Sequence, residues 1–206
     1  MTFMPNPLSS TARLSYRSGL SPLGVRLSIW AAKFADLDLR AVRTISASAA
    51  ARPLAKNFAI AVSKLGNGWI YPLLAALIFA QWEWQDARRI IALAALNAAL
   101  MHIIYPLVKK RFKRLRPFKV DPRLPSLLPT LDEHSFPSGH AMTLTGVLAP
   151  IVLLWPAMLF SAVVMACCMA WSRIATGHHY PSDVAAGVLF GVCLGVPLSN
   201  TLIAYF

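Results

Sequence analysis

The chain has 206 residues, 57% of them hydrophobic and 14% charged, with a mean hydropathy of +0.56. A soluble domain carries about a quarter of its residues as charges, so this composition excludes one and points to a single-domain, helical, integral membrane protein. The net charge of +12 suits anionic partners such as lipid headgroups and phosphate esters. Nucleic acid is not expected as a partner, because lipid occupies so much of the chain.

In chain order, residues 1–22 are rich in Ser and Pro, lack a helical period and are expected to be disordered. They carry Arg13 and Arg17 but no apolar core of a secretory signal peptide. From 23 to 41 the pattern changes. Leu23, Leu27, Trp30, Phe34, Leu37 and Ala41 recur at steps of four and three, with Arg26, Lys33 and Arg40 alongside. An apolar stripe flanked by cations is the pattern of a helix lying in the membrane interface. Residues 42–65 continue as a second amphipathic stretch, broken at Arg52-Pro53. Arg43, Arg52 and Lys56 would each cost roughly 2.5–3.5 kcal/mol near the centre of a span. The whole of 23–65 is therefore expected to stay at the interface, with the membrane domain covering 66–206.

Gly66-Asn67-Gly68 reads as a turn. The first expected span, 69–84, has Trp69 at one end and Trp82 and Trp84 at the other, the pattern of interfacial anchors. The second covers 90–108 and contains Asn97 and His102, the latter expected as a hydrogen-bonded histidine facing the bundle. A strongly basic, proline-broken loop fills 109–136. The third span starts at Pro137 and runs to about Trp155, the fourth covers 157–171, and the fifth 181–204. Gly187, Gly191 and Gly195 lie four apart on the fifth and let another helix approach closely. Cys167, Cys168 and Cys193 sit in apolar runs without a metal-ligand spacing and read as packing residues. The expected fold class is an all-α integral membrane bundle of about five spans, six being possible, with an N-terminal amphipathic interfacial helix.

With five spans, the loop after the second, the start of the third and the loop after the fourth fall on one side of the membrane. Those are the places where polar residues concentrate. The first holds Lys109, then Arg116-Pro117 seven residues on. The second is Pro137-Ser138-Gly139-His140. The third is Ser172-Arg173, followed by His179 and Asp183. Lys109, Arg116 and Arg173 can surround a phosphate, arginine forks matching its oxygens and lysine adding a point charge. Pro137 suits a first helical turn, whose free N–H groups at Ser138, Gly139 and His140 form an anion site. Two histidines can divide the work, one attacking and one protonating a leaving group. Asp183, four residues beyond His179, can accept its other ring N–H and fix the tautomer. Each segment alone has a plain reading: the basic loop as a headgroup contact, the tetrapeptide as chance, the His and Asp as a helix-start hydrogen bond. Together and in order they do not.

The three segments resemble the tripartite signature of the type-2 phosphatidic-acid phosphatase family, KxxxxxxRP, PSGH and SRxxxxxHxxxD, in all eleven fixed positions. The wider superfamily includes vanadium haloperoxidases and bacterial acid phosphatases. The resemblance covers about residues 66–206. It implies that Lys109, Arg116 and Arg173 bind phosphoryl oxygens with Ser138 and the Gly139 amide, and that His179 attacks phosphorus to form a phosphohistidine. It further implies that Asp183 orients His179 and that His140 protonates the departing group. His178 matches no fixed position. The implied substrate is a lipid phosphate: undecaprenyl diphosphate, phosphatidate, phosphatidylglycerol phosphate or a lipid A phosphate. No metal and no cofactor is expected, since no carboxylate cluster stands near the site to hold a metal pair. A phosphotransferase using the same site, or a non-enzymatic anion-binding membrane protein, are the rival readings. A haloperoxidase is disfavoured by the spans.

Integral members of the family usually have six spans, whereas here the stretch 23–65 stands in place of the first. Most bacterial members resembling this chain work on the outer face of the inner membrane, so the resemblance implies a periplasmic site. The charge bias argues the other way: all Lys and Arg but Arg88 and Arg89 fall on the site side, which the positive-inside rule places in the cytoplasm. The sequence leaves both orientations open, and the oligomeric state with them.

Overall fold

The computed structural model describes residues 21–130 and 132–205. Among them every regular element is helical, apart from one isolated bridge between Leu115 and His134. The disorder expected for residues 1–22 concerns positions that lie, but for the last two, outside the described residues. The described residues fall into two compact units, divided after Arg40.

The first unit holds the front of helix α1 (Pro22–Ala50). Ser21 Oγ accepts the Gly24 N–H at 3.1 Å, satisfying one of the orphan donors at the helix start. Leu23, Leu27, Trp30, Phe34 and Leu37 form an exposed apolar stripe. An Arg40–Asp36 pair one turn apart lies at 2.6 Å.

In the second unit α1 ends at Ala50 and α2 (Pro53–Lys64) begins on a proline, whose missing N–H costs nothing at that position. The expected turn at 66–68 does not end a separate segment. Residues Leu65–Trp69 form a π-helical turn kinked at Gly68, whose φ of 131° only glycine adopts without strain, and the chain runs on into α3 (Ile70–Gln81). Pro53–Gln81 is thus one kinked length of 29 residues, long and apolar enough to cross a membrane. The first crossing starts at Pro53 rather than Trp69. The summed charge penalty overstated the cost, because Arg43 and Arg52 precede Pro53 and Lys56 sits in the first turn.

The remaining helices are α4 (Trp84–Phe112), the short α5 (Pro117–Val120), α6 (Gly139–Leu154), α7 (Leu159–Ala175, led by a 3-10 turn at Pro156–Met158) and α8 (Pro181–Leu202). Among the described residues four lengths are long and apolar enough to span, and α6 is a shorter apolar helix. The chain is therefore an all-α membrane bundle of about five spans, in agreement with the sequence.

Helix α6 has no polar face, as befits a helix enclosed on all sides, and every residue from Ala141 to Ile151 is buried. Its main partner is α8. A Cβ at Gly187 would lie 2.6 Å from the Ser138 carbonyl oxygen, and one at Gly191 would lie 2.5 Å from that of Met142. These glycines therefore bring the two backbones together, as their spacing suggested. Asn97 on α4 donates to Ser199 on α8 at 2.8 Å, a buried polar tie between helices. Helix α2 is bound to α7 through Ser172, whose hydroxyl lies 2.6 Å from Ser63 Oγ and 2.7 Å from the Ala59 carbonyl. The packing collects the end of α4, the start of α6, the end of α7 and the start of α8 at one end of the bundle.

Candidate active site

All eight residues singled out from the sequence meet at this end, and all but Ser138 and Asp183 line one cavity of about 230 Å³. Ser138 and Asp183 are fully buried behind it.

His179 lies in the loop between α7 and α8 and is 1% exposed. Its backbone N–H donates to the Arg173 carbonyl at 3.2 Å, which ties the end of α7 to the histidine. Nδ1 faces Asp183 Oδ2 at 3.6 Å, an ion-pair distance but too long for a hydrogen bond. On the other side Arg116 Nη1 stands 3.4 Å from Nε2. A carboxylate at Nδ1 and a guanidinium N–H at Nε2 both favour the tautomer protonated on Nδ1. The lone pair is then left on Nε2, facing the cations. Burial pushes the His179 imidazole well below its ordinary value, and Arg173, Arg116 and Lys109 push it further the same way. The ring is therefore neutral, the form a nucleophile needs.

Asp183 is held from three directions. Oδ1 accepts from Arg114 Nη1 at 2.7 Å, Oδ2 accepts the Tyr180 N–H at 2.9 Å, and the Asp183 carbonyl accepts the Ser138 N–H at 3.0 Å. The last bond corrects one expectation. Helix α6 starts at Gly139 with Ser138 as its N-cap, so Pro137 lies ahead of the helix and the Ser138 amide is already spoken for. The amides available to an anion are those further into the first turn, while Ser138 contributes its hydroxyl. That Oγ is buried without a partner, as are Arg173 Nε and His179 Nδ1. An unsatisfied buried donor costs about 1–3 kcal/mol, so orphans gathered at one cavity mark where a ligand completes the bonding. Among the described residues, Ser46 Oγ and Asn97 Oδ1 are the other unpartnered buried side-chain atoms, and neither residue lines the cavity.

Four neighbours carry contacts to which the sequence assigned no role. Asp132 receives Lys109 Nζ at 2.8 and 3.0 Å and Arg116 Nη2 at 2.7 Å. Burial would raise its carboxyl, but Lys109 and Arg116 outweigh that and hold it below the usual carboxylate range. His178, left without a role on sequence grounds, receives Arg173 Nη2 on Nδ1 at 3.1 Å and places Nε2 3.0 Å from the Leu128 carbonyl. It is neutral as well, pushed down to about 3 by burial, Arg173 and Arg116. Arg114 clamps Asp183 and packs its guanidinium 3.8 Å over the Tyr180 ring. Asn67, in the π turn, brings Oδ1 to 2.7 Å from His140 Nε2.

His102 departs from expectation: its ring lines the cavity, with Nδ1 2.9 Å from the Ala98 carbonyl of its own helix, rather than bonding within the bundle. Among the described residues no cluster of three His, Cys, Asp or Glu could hold a metal.

Three cations, a neutral histidine backed by a carboxylate, and a second histidine thus gather around one cavity at one end of a membrane bundle. The PAP2 superfamily model matches residues 86–203, more than half of the chain, and the chain belongs to that superfamily. It is 36% identical over 139 residues to a decaprenylphosphoryl-5-phosphoribose phosphatase of Mycobacterium tuberculosis, the match covering 62% of this chain and 68% of the relative. To an undecaprenyl-diphosphatase of Sulfolobus acidocaldarius it is 27% identical over 131 residues, covering 63% and 62%. In fold it is similar to the PAP2-type phosphatidylglycerolphosphate phosphatase of Bacillus subtilis, with a TM-score of 0.65, 21% identity, and coverage of 82% of this chain and 86% of that one.

Proposed function

We propose that the chain hydrolyses a phosphomonoester or pyrophosphate carried by a lipid, through a phosphohistidine at His179 and without a metal. The observation that carries this reading is the approach of Arg116 and Asp183 to opposite nitrogens of the buried His179, at 3.4 and 3.6 Å, in a cavity that also takes in Lys109, Arg173 and His140.

In the first step the Nε2 lone pair attacks phosphorus. The bond to the leaving oxygen breaks, its electron pair stays on that oxygen, and His140 supplies the proton. In the second step water attacks the phosphohistidine, His140 takes the water's proton, and the P–N electron pair returns to His179 as inorganic phosphate leaves. Arg116 and Arg173 neutralise the phosphoryl oxygens with Lys109, the Ser138 hydroxyl and the Gly139 amide. Positioning and charge neutralisation are the main demands of phosphoryl transfer, and these three cations supply the positive charge that a metal pair supplies in other phosphatases.

The lipid chain stays in the apolar part of the bundle. A second cavity, almost wholly apolar and about 240 Å³, lies among α3, α4 and α6 and shares Tyr71 with the polar one. The exposed stripe of α1 is assigned to the membrane interface, with Trp30 and Phe34 in the acyl boundary and Lys33 and Arg40 at headgroups. The relatives' names support lipid-linked phosphomonoesters and diphosphates as the classes to assay. The reading is tested by presenting the purified protein with phosphatidate, phosphatidylglycerol phosphate, undecaprenyl diphosphate and lipid A, with and without chelator. Release of inorganic phosphate from at least one of them, unaffected by chelator, is the expected result. Release abolished by chelator removes the metal-free mechanism. Phosphate that appears on an acceptor lipid instead of as the free ion makes the enzyme a phosphotransferase.

A further inference from the structure

The Gly66-Asn67-Gly68 turn lies outside all three motif segments, yet it forms a wall of the cavity. Two features build it for one contact. The π turn over Leu65–Trp69, with Gly68 at φ 131°, bulges the helix and presents Asn67. Gly66 clears the space beside it: a Cβ there would lie 2.7 Å from His140 Cδ2 and 2.5 Å from Met169 Cε. Asn67 Oδ1 then meets His140 Nε2 at 2.7 Å across 73 positions of sequence. A carbonyl oxygen only accepts, so this contact requires a proton on Nε2.

We infer that Asn67 is a positioning residue for His140, its side-chain carbonyl binding the Nε2 proton so that Nδ1 is the nitrogen that exchanges a proton with the leaving oxygen and then with water. The inference rests on the proposed function and assigns a role to a residue which that reading does not use. Asn67 acts at the edge of the ring. It orients the plane, fixes the tautomer, and stabilises the imidazolium by accepting one of its two N–H groups. In the first step the Nδ1 proton passes to the ester oxygen as the P–O bond breaks. In the second, Nδ1 recovers a proton from water as hydroxide bonds to phosphorus. Nε2–H stays on Asn67 throughout, so protons balance over the cycle.

The test separates help to the leaving group from general damage. Asn67→Leu removes the acceptor at similar size, and Asn67→Asp keeps an acceptor oxygen in place. Each is assayed with two substrates: phosphatidate, whose alkoxide leaving group needs a proton, and p-nitrophenyl phosphate, whose phenolate does not. The parameter read is kcat/KM, which reports the steps up to the first bond cleavage. General acids contribute roughly 10²–10⁴-fold. Asn67→Leu is accordingly expected to lower kcat/KM for phosphatidate by about tenfold or more, to leave p-nitrophenyl phosphate within about twofold, and to be rescued in large part by Asn67→Asp. An equal loss on both substrates, or no loss on phosphatidate, overturns the inference. Should Asn67→Leu fail to insert, Asn67→Asp decides alone: retention of the wild-type ratio between the substrates supports the role, and collapse of that ratio overturns it. A wild-type protein that releases phosphate from neither substrate nor from any other lipid of the panel refutes the phosphatase reading itself, a result distinct from any of these.

Discussion

The ammonium group of Lys109 is saturated by its neighbours: two of its donors go to the Asp132 carboxylate, at 2.8 and 3.0 Å, and one to the His134 carbonyl at 3.0 Å. The residue assigned to the phosphate therefore already holds an anion. Asp132 takes Arg116 Nη2 as well, so an incoming phosphoryl group competes with it for two of the three cations. Asp132→Asn is expected to relieve that competition. Inhibition by inorganic phosphate or vanadate should tighten by about tenfold, the equivalent of roughly 1.4 kcal/mol, and KM should fall. Inhibition constants measured for the two proteins side by side check this. Weaker inhibition in the variant means instead that Asp132 holds the cations in place for the phosphate.

Eleven fixed positions were legible in the sequence because their spacings are short and their chemistry unusual for an apolar chain. Asp132, Asn67 and Arg114 were not, since each meets its partner across 23, 73 and 69 positions respectively. A lone acidic or amide residue in a loop carries no period. The scarcity of acids was the available signal for Asp132: the chain has only eight Asp and Glu, and two of them, Asp132 and Glu133, stand just ahead of the PSGH segment. The helix count was legible from hydropathy, but the start of the first crossing was not. A summed penalty treats every cation as lying near the centre of a span, whereas Arg43 and Arg52 precede Pro53 and Lys56 sits in the first turn of α2.

His178 holds Arg173 through Nδ1 and the 121–134 loop through Leu128. His178→Phe keeps the bulk and removes both bonds. A hydrogen bond to a charged group is worth about 1.5–3 kcal/mol, so phosphate affinity should fall by roughly tenfold or more. The phosphohistidine should still form at saturating substrate. Isothermal titration with vanadate gives the affinity, and unchanged binding would leave His178 as a packing residue.

The buried neutral histidines set a pH dependence with a definite sign. His178 and His179 both have folded values below the ordinary 6.5. Above that value neither state carries the protons, and stability is unaffected. As pH falls below it the unfolded chain takes up protons that the folded site refuses, so stability declines with falling pH until the folded groups titrate too. The melting temperature in detergent should therefore be level from about pH 7 to 8 and drop towards about pH 5. His178→Phe should flatten part of that slope. By the same logic His179, the proposed nucleophile, stays neutral below its ordinary value.

Gly187 allows the Ser138 carbonyl to approach α8. Gly187→Ala forces α6 and α8 apart where the PSGH segment begins, and overpacking of this kind costs about 1–3 kcal/mol. Lower thermal stability is expected together with a fall in kcat, because the Ser138–Asp183 backbone bond, 3.0 Å long, is stretched. A variant with wild-type melting and turnover would show that the contact has slack.

The central claim is that His179 carries the phosphoryl group. Rapid quench of the protein with ³²P-labelled lipid phosphate, followed by peptide mapping, tests it most directly. The expected result is an acid-labile, base-stable phosphopeptide mapped to His179. In His179→Ala the label and phosphate release should both be absent while the protein still inserts in the membrane. Label on another residue, or near-normal turnover in His179→Ala, would contradict the account.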